Sequence, residues 1–311
     1  MWLNLLFIII GVILVLWGAD RLTDGSVAIA EKLNIPQIAI GLTVVALGTS
    51  MPELCVSLTS ALKGTADLAV GNVVGSNIFN SLLIVGAAAI VTPMTVLTST
   101  VKKDIPFALF ASILLMAMCY WGKDISLIEA IVLFILFLVY MVYTVRGAKG
   151  SHAEEPSVRK NYSGLKATLF ILLGLACLIV GSNIFVNGAK EIAHLLGVSE
   201  AVIGLTIVAG GTSLPELATS VVSAYKGQSG IAIGNVLGSN VFNILMILGI
   251  TGIITPLEIH GISYVDYGVM ALSMLLLWSF SYTKFKIERW EGFVLLAIFF
   301  AYMAWLIANA F

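Results

Sequence analysis

Apolar runs of about 20 residues recur from one end of the chain to the other, and each can cross a bilayer core about 30 Å thick. Inside hydrocarbon every backbone polar group needs a partner within the protein, which restricts such runs to helices or closed barrels. The alternating in/out pattern of a barrel strand is absent. The chain therefore reads as an all-α polytopic membrane protein. Composition agrees: 59% of its 311 residues are hydrophobic and 11% are charged, where a soluble domain carries about 25% charged residues. The net charge is -1, and no basic run is long enough to bind nucleic acid. The opening residues, MWLNLLFIII, lack a positive n-region and a small-residue cleavage site, and read as the start of the first span.

Polar breaks divide the chain into ten predicted spans, at 3–20, 38–62, 68–91, 105–121, 126–145, 165–186, 200–224, 231–254, 265–282 and 291–310. The longest polar segment, 146–164, is charged, nonperiodic and contains Gly, Pro and Ser, so it reads as a linker between halves 1–145 and 165–311. Lys and Arg give the orientation. With the 146–164 linker cytoplasmic, thirteen of the sixteen basic residues fall on the cytoplasmic side, and only Lys63, Lys123 and Lys190 fall opposite. Both termini then lie outside the cytoplasm, in a protein of the plasma (inner) membrane.

The halves repeat one another. GLTVVALGTSMPELCVSLTSALKG (41–64) aligns with GLTIVAGGTSLPELATSVVSAYKG (204–227), and AVGNVVGSNIFNSLLIVG (69–86) with AIGNVLGSNVFNILMILG (232–249). The offset is 163 throughout, with 28 identities over the 46 positions from 41 to 86, and it reaches Thr92-Pro93 and Thr255-Pro256. Each half holds five predicted spans, an odd number, so the second copy enters the membrane from the opposite side. Inverted repeats of this kind place transporter sites near the midplane where the copies meet.

The repeated GTS-x-PEL segment is costly in hydrocarbon. Pro52 has no N–H to pair with the carbonyl of Gly48, and its ring pushes the helix open. Freed carbonyls are tolerated where they line a cavity. Gly48 eases the break, Thr49 and Ser50 add oxygens, and Glu53 adds a carboxylate; Gly211, Thr212, Ser213, Pro215 and Glu216 repeat the set. Hard cations such as Ca²⁺ and Na⁺ take oxygen ligands of these kinds. In the second motif Ser76 and Asn80 are four apart and share a helix face, as do Ser239 and Asn243. Asn72, Asn77, Asn235 and Asn240 are further amides off that face. Glu53 and Glu216 are the carboxylates deep inside predicted spans, with no Lys or Arg at their depth, and an ionisable residue there marks a functional site. Two carboxylates and one Ca²⁺ sum to neutral. A phosphate, sugar or amino-acid substrate would call for Arg, Lys or aromatic residues at the site.

Cys55, Cys119 and Cys177 sit in apolar runs without metal-clip or redox spacing and read as small buried residues. His152, His194 and His260 fall in predicted loops. Without HExxH, a Walker loop or GxSxG, nothing marks an enzyme or a resident cofactor. A hydrolase built on Ser50 or Ser213 would lack a histidine or lysine base.

GTSMPEL…GNVVGSNIFN and GTSLPEL…GNVLGSNVFN resemble the two α-repeats of the cation/calcium antiporter superfamily, in particular its sodium/calcium exchanger branch. The motifs cover spans two, three, seven and eight; the ten-span plan covers the chain. The resemblance implies ten helices as two inverted five-helix repeats, four central helices forming the site, and long first and sixth helices that slide across them. It implies exchange of Na⁺ for Ca²⁺ by alternating access, electrogenic at three Na⁺ per Ca²⁺. It also implies Ca²⁺ ligation by Glu53 and Glu216 with the carbonyls of Thr49 and Thr212. Na⁺ sites would use the same glutamates with Ala46, Ser50 and Ser239 on one side and Ala209, Ser213 and Ser76 on the other, and Asn80 and Asn243 would line the middle. Potassium-dependent relatives often carry aspartate at one of these last two positions, so the two asparagines argue against potassium coupling. The absence of a histidine or third acid at the site argues against proton coupling. Potassium-dependent or proton-coupled Ca²⁺ exchange is the nearest alternative, and a cation channel is the alternative of a different class. Apart from the ions and the lipid bilayer, no partner is implied.

Overall fold

The structure is a computed structural model that describes residues 2–122, 124–148, 162–197, 209–259 and 261–309. Its elements are helical, apart from four two-residue strands. Eight described helices are long and apolar enough to cross a membrane, and a bent pair, Gln37–Thr49 and Met51–Leu62, forms a further candidate. Part of the predicted span 200–224 and most of the 146–164 linker, with His152, lie outside the described residues, as does His260.

Helix α1 (Trp2–Leu33) is followed by α2 (Gln37–Thr49), α3 (Met51–Leu62), α4 (Ala66–Val91), α5 (Ile105–Gly122) and α6 (Leu127–Ala148). Then come α7 (Gly164–Leu195), the short α8 (Ala209–Thr212), α9 (Leu214–Tyr225), α10 (Ser229–Ile254), α11 (Tyr264–Tyr282) and α12 (Arg289–Asn309). Helices α4 and α10 are the inner ones. In them 72% and 83% of the most apolar window is buried, against 22% in α1, α6 and α12. The outer faces carry exposed Leu, Ile, Val, Phe and Trp, the surface a helix shows to lipid.

Both inner helices contain a π-helical turn, Phe79–Ile84 in α4 and Phe242–Ile247 in α10. A π-turn widens the helix and is frequent at functional sites. Both helices stop where a proline forces the preceding residue into extended backbone: Thr92 lies at φ −147°, ψ 124° before Pro93, and Thr255 at φ −146°, ψ 122° before Pro256. The chain then enters strands β1 (Met94–Thr95) and β3 (Leu257–Glu258). Strand β1 pairs antiparallel with β4 (Lys286–Ile287), and β3 with β2 (Asp124–Ile125).

Helices α1 and α7 correct the expected spans 3–20 and 165–186. Each is 32 residues long, about 48 Å at 1.5 Å per residue and well beyond the bilayer core. The polar residues Asp20, Arg21 and Asp24 look like a span's end in sequence, yet the helix carries them on. Asp24 is buried and ion-paired to Lys226, 2.7 Å away. The two helices pack antiparallel through glycines seven apart. A Cβ on Gly18 would meet the carbonyl oxygen of Gly174 at 2.8 Å, and one on Gly181 that of Gly11 at 3.0 Å. Gly25 and Gly188 lie as close to backbone of the opposite helix. His194, expected in a loop, is in the last turn of α7. Of the cysteines only Cys119 is buried; Cys55 is exposed.

Candidate ion-binding site

The two GTS-x-PEL segments break their helices in the same way. Between α2 and α3 the chain turns at Ser50 (φ −83°, ψ 6°), and between α8 and α9 at Ser213 (φ −87°, ψ 6°). Pro52 and Pro215 sit in the first turns of α3 and α9, where a missing N–H costs least. The bend between α2 and α3 is 46°. Glu53 and Glu216 follow one residue after the prolines, in those first turns, where the exposed N–H groups of a helix favour a negative charge.

Each glutamate is 1% exposed, and each is held by a serine from the other half. Ser213 donates to Glu53 Oε1 at 3.1 Å, and Ser50 donates to Glu216 Oε1 at 3.0 Å. The inner helices add the next pair: Ser239 donates to Glu216 Oε1 at 3.4 Å, and Ser213 lies 3.3 Å from Ser76 Oγ. The structure thus brings together Glu53, Glu216, Ser50, Ser213, Ser76 and Ser239. Asn80 and Asn243 join them from the π-turns: α3 packs against Phe242–Ile247, and α9 against Phe79–Ile84. Thr49 is buried and donates to Asn235 Oδ1 at 3.0 Å. Ala46 is buried, Thr212 is half-buried, and Ala209 begins the short α8.

Four side-chain oxygens at this centre are buried without a hydrogen-bond partner: Glu53 Oε2, Glu216 Oε2, Asn80 Oδ1 and Asn243 Oδ1. Each is the residue's second oxygen or the free end of an amide, and all four are acceptors. Unmet buried acceptors are costly, and all four belong to residues carried by the broken turns and the π-turns packed against them. Among the described residues no three His, Cys, Asp or Glu side chains cluster as metal ligands, so this centre has two carboxylates and neutral oxygens around them.

Two supports were not assigned a role by sequence reasoning. Asn72 donates to the backbone carbonyl of Glu53 at 3.2 Å and to Ser57 Oγ at 3.0 Å. Asn235 does the same to the carbonyl of Glu216 at 3.3 Å and to Ser220 Oγ at 3.0 Å. They brace the turns that carry the carboxylates. Their signal was repetition at the offset of 163, without any hint of the partner. Asp24 and Glu291 are also buried. The first pairs with Lys226, and the second accepts from the N–H of Glu288 at 2.7 Å as a helix cap, so neither has the glutamates' lack of a cationic or capping role.

The family model described as "Sodium/calcium exchanger protein" matches residues 3–146 and 166–308. The chain belongs to that family. It is 40% identical over 308 residues to the CaxA protein of Alkalimonas amylolytica, covering 96% of each chain. It is 32% identical to the sodium/calcium exchanger MaX1 of Methanosarcina acetivorans, over 96% of this chain and 97% of that one. The solved structure of the sodium-calcium exchanger NCX_Mj soaked with 2.5 mM Na⁺ and 0.1 mM Ca²⁺ superposes with a TM-score of 0.86 at 34% identity, over 97% of this chain and 98% of the other. Family and apolar helices together make this an integral membrane protein.

Proposed function

We propose that the chain exchanges Na⁺ for Ca²⁺ across the membrane by alternating access, with Glu53 and Glu216 as the central ligands and three Na⁺ per Ca²⁺. The observation that carries this reading is the set of four buried, unpartnered oxygens on Glu53, Glu216, Asn80 and Asn243. Serine hydroxyls hold the other carboxylate oxygens, and none of the ion pairs among the described residues reaches either glutamate. The carbonyls of Thr49 and Thr212 complete the Ca²⁺ shell. Ala46, Ser50 and Ser239 serve Na⁺ on one side, and Ala209, Ser213 and Ser76 on the other.

The halves 1–145 and 165–311 are read as inverted repeats joined by a cytoplasmic 146–164 linker, with both termini outside and the plasma membrane as the location. Crossed contacts support the inversion. Ser50 reaches Glu216 while Ser213 reaches Glu53, and β1 pairs with β4 while β3 pairs with β2. A two-fold axis in the membrane plane generates such exchanges of partner. The pair α1 and α7, joined by close-packed glycines, is the body that slides across the centre and exposes it to one side at a time.

Charge gives the test. Two carboxylates with one Ca²⁺ are neutral, and with three Na⁺ they carry +1. Returning the Na⁺-loaded form then moves charge, and 100 mV contributes about 2.3 kcal/mol per elementary charge. In Na⁺-loaded proteoliposomes, an inside-positive potential set with valinomycin and K⁺ is expected to speed ⁴⁵Ca²⁺ uptake. Uptake indifferent to the potential would mean two Na⁺ per Ca²⁺ and would refute the three-ion reading.

A further inference from the structure

An asparagine can ligate a cation only through its oxygen. Turned by half a rotation, the same amide offers an –NH₂ group that repels the ion. Asn80 and Asn243 therefore need something that decides which end faces the centre, and the decision lies in a chain of contacts behind them.

The chain starts at helix α11. A thioether sulfur accepts hydrogen bonds and donates none. Asn240 places Nδ2 3.3 Å from Met274 Sδ and donates to Ser81 Oγ at 2.8 Å, while the Ser81 hydroxyl is in turn 3.2 Å from the same sulfur. With its nitrogen end committed there, Asn240 turns Oδ1 the other way, where it accepts from Asn80 Nδ2 at 3.0 Å. Asn80 then has its nitrogen end committed too, and its Oδ1 is left buried and without a partner. The second chain runs the opposite way between the halves. Asn77 places Nδ2 3.9 Å from Met270 Sδ, and its Oδ1 accepts from Asn243 Nδ2 at 3.2 Å. The oxygen of Asn243 is likewise buried and unpartnered. Asn77 and Asn240 are themselves no more than 1% exposed.

We propose that Asn77 and Asn240, each polarised by a methionine of α11, are positioning residues that lock the amides of Asn243 and Asn80 with oxygen toward the ions. This rests on the ion-site reading above and adds to it the device that makes two neutral amides into dependable cation ligands. The two locks differ in strength. Asn240 has Ser81 as well as a close sulfur, whereas position 244, the counterpart of Ser81, is Ile244, and the sulfur that Asn77 faces is more distant. The Asn240 lock is the stronger.

The experiment is equilibrium binding of ⁴⁵Ca²⁺ and of ²²Na⁺ to the purified full-length protein. Residues that orient a metal ligand typically change affinity about 10- to 100-fold when replaced. Asn240→Leu is expected to weaken Ca²⁺ binding by about that much, and to weaken Na⁺ binding less, because a misdirected amide dipole acts on half the charge. In an Asn80→Ala background, where no amide is left to orient, Asn240→Leu should change Ca²⁺ affinity by less than about twofold. Asn77→Leu, with and without Asn243→Ala, should repeat the pattern with a smaller loss, and it carries the test alone if Asn240→Leu does not fold. Equal losses in both backgrounds, or equal losses for Ca²⁺ and Na⁺, would show a role in folding only and overturn the proposal. Undiminished Ca²⁺ binding by Asn80→Ala and Asn243→Ala would overturn it while leaving the glutamates in place. Undiminished binding by Glu53→Gln and Glu216→Gln would overturn the ion-site reading itself.

Discussion

The two halves of the chain agree closely at their centres and part company at the ends of α1 and α7. At the centre, Ser50 and Ser213 break their helices within 4° of each other in φ and at the same ψ. Each glutamate meets a serine from the other half, and each turn is braced by an asparagine. At the helix ends the equivalence fails. Lys226, just past α9, pairs with the carboxylates of Asp20 and Asp24 on α1 and donates to the carbonyl of Asp20 at 3.1 Å. Beside it, the Thr23 and Ser223 hydroxyls lie 2.9 Å apart. The counterpart of Lys226 is Lys63, which is exposed, and the counterparts of Asp20 and Asp24 are Asn183 and Asn187. Under the proposed exchange, a site that receives the same ions from either side needs both copies of its ligands. The contacts that pin the α1/α7 pair have no such requirement: Lys226 is ion-paired to α1, whereas Lys63 at the equivalent position is exposed.

That contrast can be broken at the centre first. Glu53→Gln and Glu216→Gln should have the largest effects and similar ones. Removing one carboxylate's unit charge from a divalent ion at about 4 Å costs about 8 kcal/mol at an effective dielectric of 20, roughly a millionfold in affinity. Na⁺-dependent ⁴⁵Ca²⁺ exchange should be lost in both variants while the protein remains folded and inserted. A tenfold difference between the two would mean that the halves are not equivalent at the site.

Next in size is Lys226→Ala, which leaves the buried Asp24 carboxylate without that cation. We expect a loss of about 2 to 3 kcal/mol of stability, at the low end for a broken buried pair because the lysine is partly exposed. Thermal unfolding in detergent reads it. Lys63→Ala at the equivalent position should change stability by less than about 0.5 kcal/mol. Equal shifts from the two lysines would remove the asymmetry described here.

The smallest change on affinity should come from Pro52→Ala and Pro215→Ala. Each restores an N–H that can bind the carbonyl of residue 48 or 211, close the break at Ser50 or Ser213, and so turn the neighbouring carbonyl of Thr49 or Thr212 away from the cavity. Losing one carbonyl contact to a charge is worth about 1.5 kcal/mol, so Ca²⁺ affinity should fall about tenfold while thermal stability holds or rises. Unchanged affinity for both ions would show that the broken helices supply no carbonyl ligands.

Much of the centre was readable in the sequence because polar groups in hydrocarbon are conspicuous. Glycine, two hydroxyls, proline and glutamate within an apolar run have few explanations, and their repetition at an offset of 163 marked both copies. The ends of α1 and α7 were hidden for the converse reason. Asp20, Arg21 and Asp24 look like a loop until Lys226, some 200 residues away, is seen to neutralise two of them. The π-turns at Phe79–Ile84 and Phe242–Ile247 leave no compositional trace, since they are set by backbone pairing and packing. Asn77 and Asn240 were visible as repeated amides, but their partners Met270 and Met274 have Phe107 and Ala111 at the equivalent positions, so repetition could not point to them.

One site made by both halves, taking Na⁺ and Ca²⁺ in turn, is the core of the exchange proposed above. It is tested most directly by ⁴⁵Ca²⁺ uptake into proteoliposomes of the full-length protein, loaded in parallel with Na⁺, K⁺, a proton gradient or no driving cation. Uptake is expected to depend on internal Na⁺ and to stop when the Na⁺ gradient is collapsed. Equal uptake with no counter-ion inside would indicate a conducting pore, and uptake driven by K⁺ or protons in place of Na⁺ would contradict the coupling assigned to this site.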